Sequence, residues 1–222
     1  MSIHLRPFER PREPGEPAVS VARLLQKVPR GARKDDEKAV KLLEEDDSAR
    51  ARPLLERALK RYPDYVDARN EYAVLLMKED KLPEAEAELR HALEVDPEAV
   101  RPLLNLGLCL YRQSRHADAA AALERAGQLS PTSGRGYLLL GLVRVASGDD
   151  AQAEPAFVQA YKLAGKGVAR AQYYLSRIYT RRGEHARAAV ALETYLRDAP
   201  DDPSAEELQR TLERLRAAIA RR

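Results

Sequence analysis

From residue 51 onward one short pattern of apolar positions keeps returning. Counting back from Pro63, Pro97, Pro131 and Pro200, an alanine stands twelve residues earlier each time: Ala51, Ala85, Ala119 and Ala188. A leucine stands eight residues earlier, at Leu55, Leu89, Leu123 and Leu192. Five residues earlier come Ala58, Ala92 and Ala126, then Tyr195 in the last instance. Steps of four and three residues place each such set on one face of a helix. The four prolines are 34, 34 and 69 residues apart, and 69 is 34 plus 35. One unit between Pro131 and Pro200 has therefore lost its proline. Its equivalents are Ala153, Phe157 and Ala160, and it closes on "AGKGV" (164–168), which carries two glycines and one extra residue.

Each proline closes a unit of two helices. The second helix carries the pattern just described; the first carries small residues at Ala73, Gly107, Gly141 and Ser176, each following Tyr72, Leu106, Leu140 or Leu175. The turns between the two helices read "KEDKLP", "ASGDD" and "RRGEH", punctuated by Pro83, Gly148 and Gly183. The four consecutive alanines Ala119–Ala122 in "RHADAAAALERAGQLSP" follow from this arrangement. Ala119 and Ala126 are small because a neighbouring helix passes close by, and Ala120 to Ala122 add helix propensity.

A period of 34 residues with small–large complementarity between paired helices is a helical-repeat signature. The stretches "NEYAVLLMKEDKLPEAEAELRHALEVDP" (70–97) and "LNLGLCLYRQSRHADAAAALERAGQLSP" (104–131) resemble the L-G…Y…A…F…A…P grammar of the tetratricopeptide-repeat (TPR) family over one 34-residue period. The early tryptophan of that family is missing: Arg69, Leu103, Tyr137 and Gln172 stand in its place. The resemblance implies an all-α, right-handed α-solenoid of about five helix-turn-helix repeats, at 32–65, 66–99, 100–133, 134–168 and 169–202. The first repeat is degenerate in its first helix. Pro53 and Pro155 fall at one repeat position, early in a second helix, where each should remove a backbone hydrogen bond.

The ends differ from the repeats. "DDPSAEELQRTLERLRAAIARR" predicts a capping helix over 203–222, with Asp202 as N-cap and Pro203 as the first helical residue. Its stripe is Ala205, Leu208, Leu212, Leu215 and Ile219; Glu207, Arg210, Glu213 and Arg214 face water. Such a polar outer face is what a terminal repeat needs. Residues 1–17, with Pro7, Pro11, Pro14 and Pro17, are expected to be disordered. Residues 18–31 are a short helix ("SVARLLQKV", 20–28) docking on the first repeat, or else the tail of an upstream domain.

Composition narrows the function classes. The 222 residues are 33% charged and 5% aromatic, without tryptophan, and carry a net charge of +3. That balance does not by itself point to nucleic acid. Cys109 is the one cysteine, so no intrachain disulfide framework exists. No apolar run reaches the roughly 18–20 residues of a membrane helix. The N-terminal "SIHLRPFERPREPGEP" lacks the apolar stretch of a secretory signal, so a cytoplasmic location is expected, or a periplasmic one if an upstream signal or domain is missing.

Chemistry is sparse. "GRGYLLLG" (134–141) superficially evokes a phosphate-binding loop, but its last glycine comes two residues late for the dinucleotide fingerprint and Gly141 is the repeat's small packing position. His4, His91, His116 and His185 contain no pair at metal-ligand spacing, and His116 and His185 are expected on different repeats. Cys109, among Leu106, Leu108 and Leu110, reads as a buried inert thiol. No catalytic constellation, metal site or cofactor site is legible, which points away from an enzyme.

In the family the first helices line a concave surface that holds peptides. The resemblance carries that surface onto Asp36, Glu37, Val40 and Glu44 in the first repeat and Asp67, Asn70, Glu71, Val74 and Lys78 in the second. The third repeat contributes Arg101, Leu104, Asn105, Leu108, Tyr111 and Arg112. The fourth contributes Arg135, Leu138, Leu139 and Leu142, and the fifth Arg170, Tyr173, Tyr174, Arg177 and Arg181. The wall should thus run from acidic to basic, with exposed tyrosine and leucine at the basic end. Arginine and tyrosine are frequent interface anchors, and the guanidinium fork suits carboxylates.

The expected function is a non-enzymatic protein–protein interaction scaffold whose groove, from repeat three to repeat five, binds an acidic segment with one or two apolar anchors. The carboxylate clamp of the family's chaperone-binding members uses two Lys, two Asn and one Arg. Here Asn105 matches one Asn and Arg135 stands for one Lys, while Asn70, Val74 and Leu139 replace the other three, which disfavours a chaperone tail. The alternatives are an accessory module of a larger envelope, secretion or signalling assembly, or an RNA-binding repeat using Arg135, Arg170, Arg177, Arg181, Arg182 and Arg187. No small-molecule substrate or membrane insertion is expected.

Overall fold

The computed structural model describes Ala22 and residues 25–221. The expected disorder of 1–17 and most of the expected 20–28 helix lie outside the described residues. Among those residues, eleven α-helices succeed one another in two compact units, the first extending to Pro131 and the second beginning at Thr132.

The first unit holds three helix pairs: α1 (Arg30–Glu44) with α2 (Ser48–Arg61), α3 (Val66–Lys78) with α4 (Leu82–Val95), and α5 (Val100–Arg112) with α6 (His116–Leu129). The second holds α7 (Gly134–Ala146) with α8 (Asp150–Ala164), α9 (Arg170–Arg181) with α10 (His185–Asp198), and a last helix α11 (Ala205–Ala220) packed on α10.

The repeated apolar set is the core of each pair. Ala51, Leu55, Ala58, Ala85, Leu89, Ala92, Ala119, Leu123 and Ala126 are all buried, and so are Ala153, Phe157, Ala160, Ala188, Leu192 and Tyr195. Ala120 is buried too, so it packs as well as adding propensity. The small positions of the first helices receive the large ones of the second. A Cβ on Gly107 would meet Leu123 Cγ at 2.5 Å.

The turn inside every pair uses one left-handed residue. Asp46, Asp80 and Ser114 have φ of 60°, 61° and 61°, and Gly148 and Gly183 have φ of 76° and 72°. These five positions follow the 34-residue period, with one step of 35. Where glycine is absent, Asp and Ser take its conformation. Pro53 and Pro155 sit inside α2 and α8 as expected. The extra residue of the proline-less repeat is absorbed by a 3₁₀ turn, Gly165–Val168, whose Gly165 has φ 51°.

The start of the capping helix differs from expectation. α11 begins at Ala205 after Ser204, not at Pro203 after Asp202. The Asp202 carboxylate is engaged elsewhere: it accepts from the Tyr195 hydroxyl at 2.5 Å and from the Ser204 amide at 2.8 Å, which holds 202–204 in a turn. Leu212 and Leu215 of the predicted stripe are buried, whereas Ile219 is 39% exposed. At the other end Val28 packs against the core of the first repeat and Gln26 donates to the Asp64 carbonyl.

Candidate functional site

In the first unit α1, α3 and α5 lie side by side, with α2 and α4 packed against α3. Helical geometry puts Gly107 toward α6 and carries Arg101, Asn105, Leu108 and Arg112 to the opposite side of α5. The equivalent side of α3 carries Asp67, Glu71, Val74 and Lys78.

That face is cross-linked from repeat to repeat. Arg101 donates to Glu71 at 2.7 Å, and the Asn105 amide donates to the Asn70 side-chain oxygen at 2.9 Å. In the first repeat the Tyr65 hydroxyl donates to Asp36 at 3.0 Å. Lys78 pairs with Asp46 at 3.3 Å, and Arg112 pairs with Asp80 at 2.9 Å while also donating to the Met77 carbonyl at 2.6 Å. Lys78 and Arg112 occupy one repeat position, in the last turn of a first helix, where a cation also favours the helix dipole. Each reaches back to the left-handed Asp of the preceding turn.

Half of the expected wall of the third repeat is buried. Leu104, Asn105 and Leu108 are at most 3% exposed, as are Asn70, Glu71 and Val74 of the second repeat. Tyr111 is half-buried beside the His116 ring, 5.8 Å between centroids, and burial pushes its phenol above the usual tyrosine range. Cys109 is fully buried, its thiol donates to the Leu82 carbonyl at 3.3 Å, and burial raises its pKa. A raised pKa and no access to solvent suit a packing residue, not a nucleophile.

In the second unit the expected exposed tyrosine and leucine separate into two groups. Leu138, Leu142 and Tyr174 are buried. Tyr174 stacks on Phe157, with centroids 5.2 Å apart and planes within 9°, so it belongs to the core of the α8–α9 contact. Tyr173, one residue earlier, stays half-buried, edge-on to Tyr174 at 5.3 Å and tilted against Tyr195 at 5.5 Å. Arg135 in the first turn of α7 is exposed, as are Arg170 and Arg177 on α9. The Arg177 guanidinium lies 5.8 Å from the Tyr173 ring centre. Arg181 is bidentate to Asp150 of the preceding repeat, at 2.6 and 2.8 Å, repeating the Arg112–Asp80 link. Arg182 and Arg187 converge on Glu154, and Arg187 also covers the Tyr179 ring at 4.0 Å.

Beside α9 a cavity of about 400 Å³ opens between Leu138, Val168, Arg170, Tyr195, Asp198 and Asp202. Burial, then the neighbouring Asp202 carboxylate, pushes the Tyr195 phenol far above its ordinary pKa; the same hydroxyl, donating, holds Asp202 low. Tyr195 was visible in the sequence as the residue that breaks the alanine series Ala58, Ala92, Ala126, Ala160, but nothing in the pattern marked it as lining an opening. Among the described residues no group of three or more His, Cys, Asp or Glu is placed to hold a metal, and no helix is long and apolar enough to cross a membrane.

Comparison with known proteins agrees with the repeat reading. A family model described as the middle TPR-like domain of cilia and flagella-associated protein 70 matches residues 39–164, and a tetratricopeptide-repeat model matches residues 138–203. No curated protein matches the sequence. Among solved structures, PilF of Pseudomonas aeruginosa is similar with a TM-score of 0.77 and 23% identity, over 86% of each chain. PilW, described as a widely conserved type IV pilus biogenesis factor, gives a TM-score of 0.76 at 19% identity, over 86% of this chain and 88% of its own. YrrB, described as a TPR protein with an unusual peptide-binding site, gives 0.63 at 20% identity, over 81% of this chain and 92% of its own. At these identities the likeness is one of fold. With a family model spanning more than half of its residues, and with the same apolar set buried in every repeat, the chain belongs to the tetratricopeptide-repeat family of protein-interaction scaffolds.

Proposed function

We propose that the second unit binds an acidic segment of a partner protein, with an aromatic or aliphatic residue as its anchor, on the face of α9 that carries Arg170, Tyr173 and Arg177. These residues stand at i, i+3 and i+7, two turns along one side of the helix. One observation carries the reading. Arg101, Arg112 and Arg181 are each tied to a carboxylate of the preceding repeat, whereas neither Arg170 nor Arg177 makes an ion pair within 4 Å among the described residues. Their side chains are exposed, and Tyr173 between them offers a half-buried ring to an apolar anchor. A groove already formed before binding loses little conformational entropy when it is filled.

The same distribution weighs for a protein ligand over RNA. Arg181, Arg182 and Arg187 spend their charge on Asp150 and Glu154, so the late arginine cluster is largely neutralised. The peptide-binding description of YrrB supports a scaffold role by analogy of fold.

The test is fluorescence anisotropy with an acidic peptide containing one tyrosine and one leucine. Arg170→Glu/Arg177→Glu is expected to weaken binding at least tenfold, with Tyr173→Ala costing less. Equal affinity for the parent and the double variant would remove the proposal.

A further inference from the structure

The cavity of about 400 Å³ in the second unit joins apolar walls to a charged rim. Leu138 of α7, Val168 of the 3₁₀ turn and the Tyr195 ring of α10 supply the walls, and all three are buried. The rim holds Lys166, Arg170, Asp198, Asp201 and Asp202. Two of its carboxylates are already engaged. Asp198 accepts from the Tyr161 hydroxyl at 2.5 Å and from Arg197 at 3.0 Å. Asp202 accepts from the Tyr195 hydroxyl at 2.5 Å and from the Ser204 amide at 2.8 Å. These hydrogen bonds first, and the charges of Lys166 and Arg170 after them, hold both carboxyls below the usual carboxylate range. With Arg197 counted, three cations stand against three carboxylates. The opening therefore selects no net charge, and a charged occupant would leave water without a dedicated partner. What the cavity offers is apolar surface.

We infer that this cavity receives one neutral aromatic side chain, a phenylalanine, from the acidic partner segment that the α9 face holds. The inference rests on the α9 reading for the acidic flanks and on the cavity alone for the aromatic side chain. The size suits a single side chain, since about 400 Å³ lies toward the low end of ligand pockets. An aromatic occupant gains more than an aliphatic one, because the Tyr195 ring is part of the wall and ring pairs about 4.5–7 Å apart add to the burial of area. Tyr195 stands where the other four repeats have Ala58, Ala92, Ala126 and Ala160, so the fifth repeat alone places a ring at this position. The cavity is also continuous with the proposed face. Arg170 belongs to both, and the Tyr173 ring lies 5.5 Å from that of Tyr195. A segment running along Arg177 and Arg170 thus passes the opening, where Lys166 adds a second exposed cation for a carboxylate next to the anchor.

Gly167 allows the opening to be blocked without disturbing its walls. It lines the cavity, its φ is not positive, and a Cβ added to it meets no atom within 4 Å. Gly167→Phe should therefore fold with an unchanged or higher melting midpoint. Methyl NMR of the full chain, with N-acetyl-phenylalanine amide as the probe, reads the site directly. The Leu138 and Val168 methyl signals are expected to shift saturably. N-acetyl-leucine amide should bind at least threefold more weakly, and Gly167→Phe should weaken the phenylalanine probe at least fivefold. In anisotropy, an acidic peptide should lose affinity at least fivefold when its phenylalanine becomes alanine. Methyl signals that do not move overturn the inference. So does a probe affinity that Gly167→Phe leaves unchanged, or one that the leucine amide equals. The α9 reading fails separately: peptide binding insensitive to Arg170→Glu/Arg177→Glu would remove it, while the methyl shifts would still support an aromatic site.

Discussion

Gly141 lies so close to Phe157 that a methyl group on its Cα would sit 2.5 Å from the ring carbon Cε1 and 2.6 Å from Cδ1. Gly107 stands in the same relation to Leu123, 34 residues earlier in the chain. The repeat is thus built on one size rule: a residue without a side chain on the first helix admits a bulky one from the second. Gly141→Ala should destabilise by about 1–3 kcal/mol, since overpacking outweighs the gain of up to ~1 kcal/mol in helix propensity. Gly127, inside α6, has no atom within 4 Å of such a methyl group, so Gly127→Ala should stabilise by roughly 0.5–1 kcal/mol. Urea unfolding of the two variants checks the opposite signs. Phe157→Leu combined with Gly141→Ala should recover part of the loss.

Leu123→Ala should cost roughly 2–5 kcal/mol, because the side chain is 1% exposed and its neighbour Gly107 has no atoms with which to fill the cavity. Arg125, two residues on, is exposed, and Arg125→Ala should change stability by about 0.5 kcal/mol or less. Similar losses for the two, measured by the same unfolding midpoint, would mean that the faces of α6 are assigned wrongly.

The sequence made the packing legible because a 34-residue period repeats the same size rule five times, so Ala119, Leu123 and Ala126 could each be read against four counterparts. The site was less legible. Tyr173 and Tyr174 are identical in sequence and adjacent, but a 100° step turns Tyr174 onto Phe157 while Tyr173 stays at the surface. The pairing of Arg101, Arg112 and Arg181 with carboxylates 30 to 32 residues earlier was equally hidden, since it depends on how far one repeat is rotated on the next. The capping helix was placed two residues early because Asp202 has the chemistry of an N-cap; its partner Tyr195 lies on another helix.

The turn residue Ser114 has φ 61°, a conformation that costs an L-residue other than Gly, Asn or Asp roughly 1–2 kcal/mol. Ser114→Gly removes that cost but gives the unfolded chain more freedom, worth about 0.4–1 kcal/mol. The net expectation is a stabilisation of roughly 0.5–1 kcal/mol. Asp80 at the same repeat position is a poorer choice, because its carboxylate holds Arg112. Gly148→Ala is the converse experiment and should destabilise, since Gly148 has φ 76°. A thermal melt of each variant measures both.

Asp35 on α1 accepts both prongs of the Arg57 guanidinium, at 2.6 and 2.9 Å, and pairs with Arg61 as well. The hydrogen bonds from Arg57 hold its carboxyl below the usual value of 3.8, against the opposing effect of burial; the charges of Arg57, Arg61 and Lys38 act in the same direction as the bonds. A carboxylate with a lowered folded-state pKa contributes stability that is complete above its ordinary pKa and disappears as pH falls through the folded value. Asp35→Asn should therefore cost about 1–2 kcal/mol at pH 7, a modest figure because both arginines are nearly half exposed to solvent. The gap between parent and variant should stay constant from pH 7 down to about 5, narrow below about 4, and close near pH 2 to 3. Urea midpoints at pH 7, 5, 4 and 3 follow that gap. A gap that widened on acidification would mean that Asp35 is already protonated at neutral pH in the folded chain, and that the link between α1 and α2 rests on packing alone.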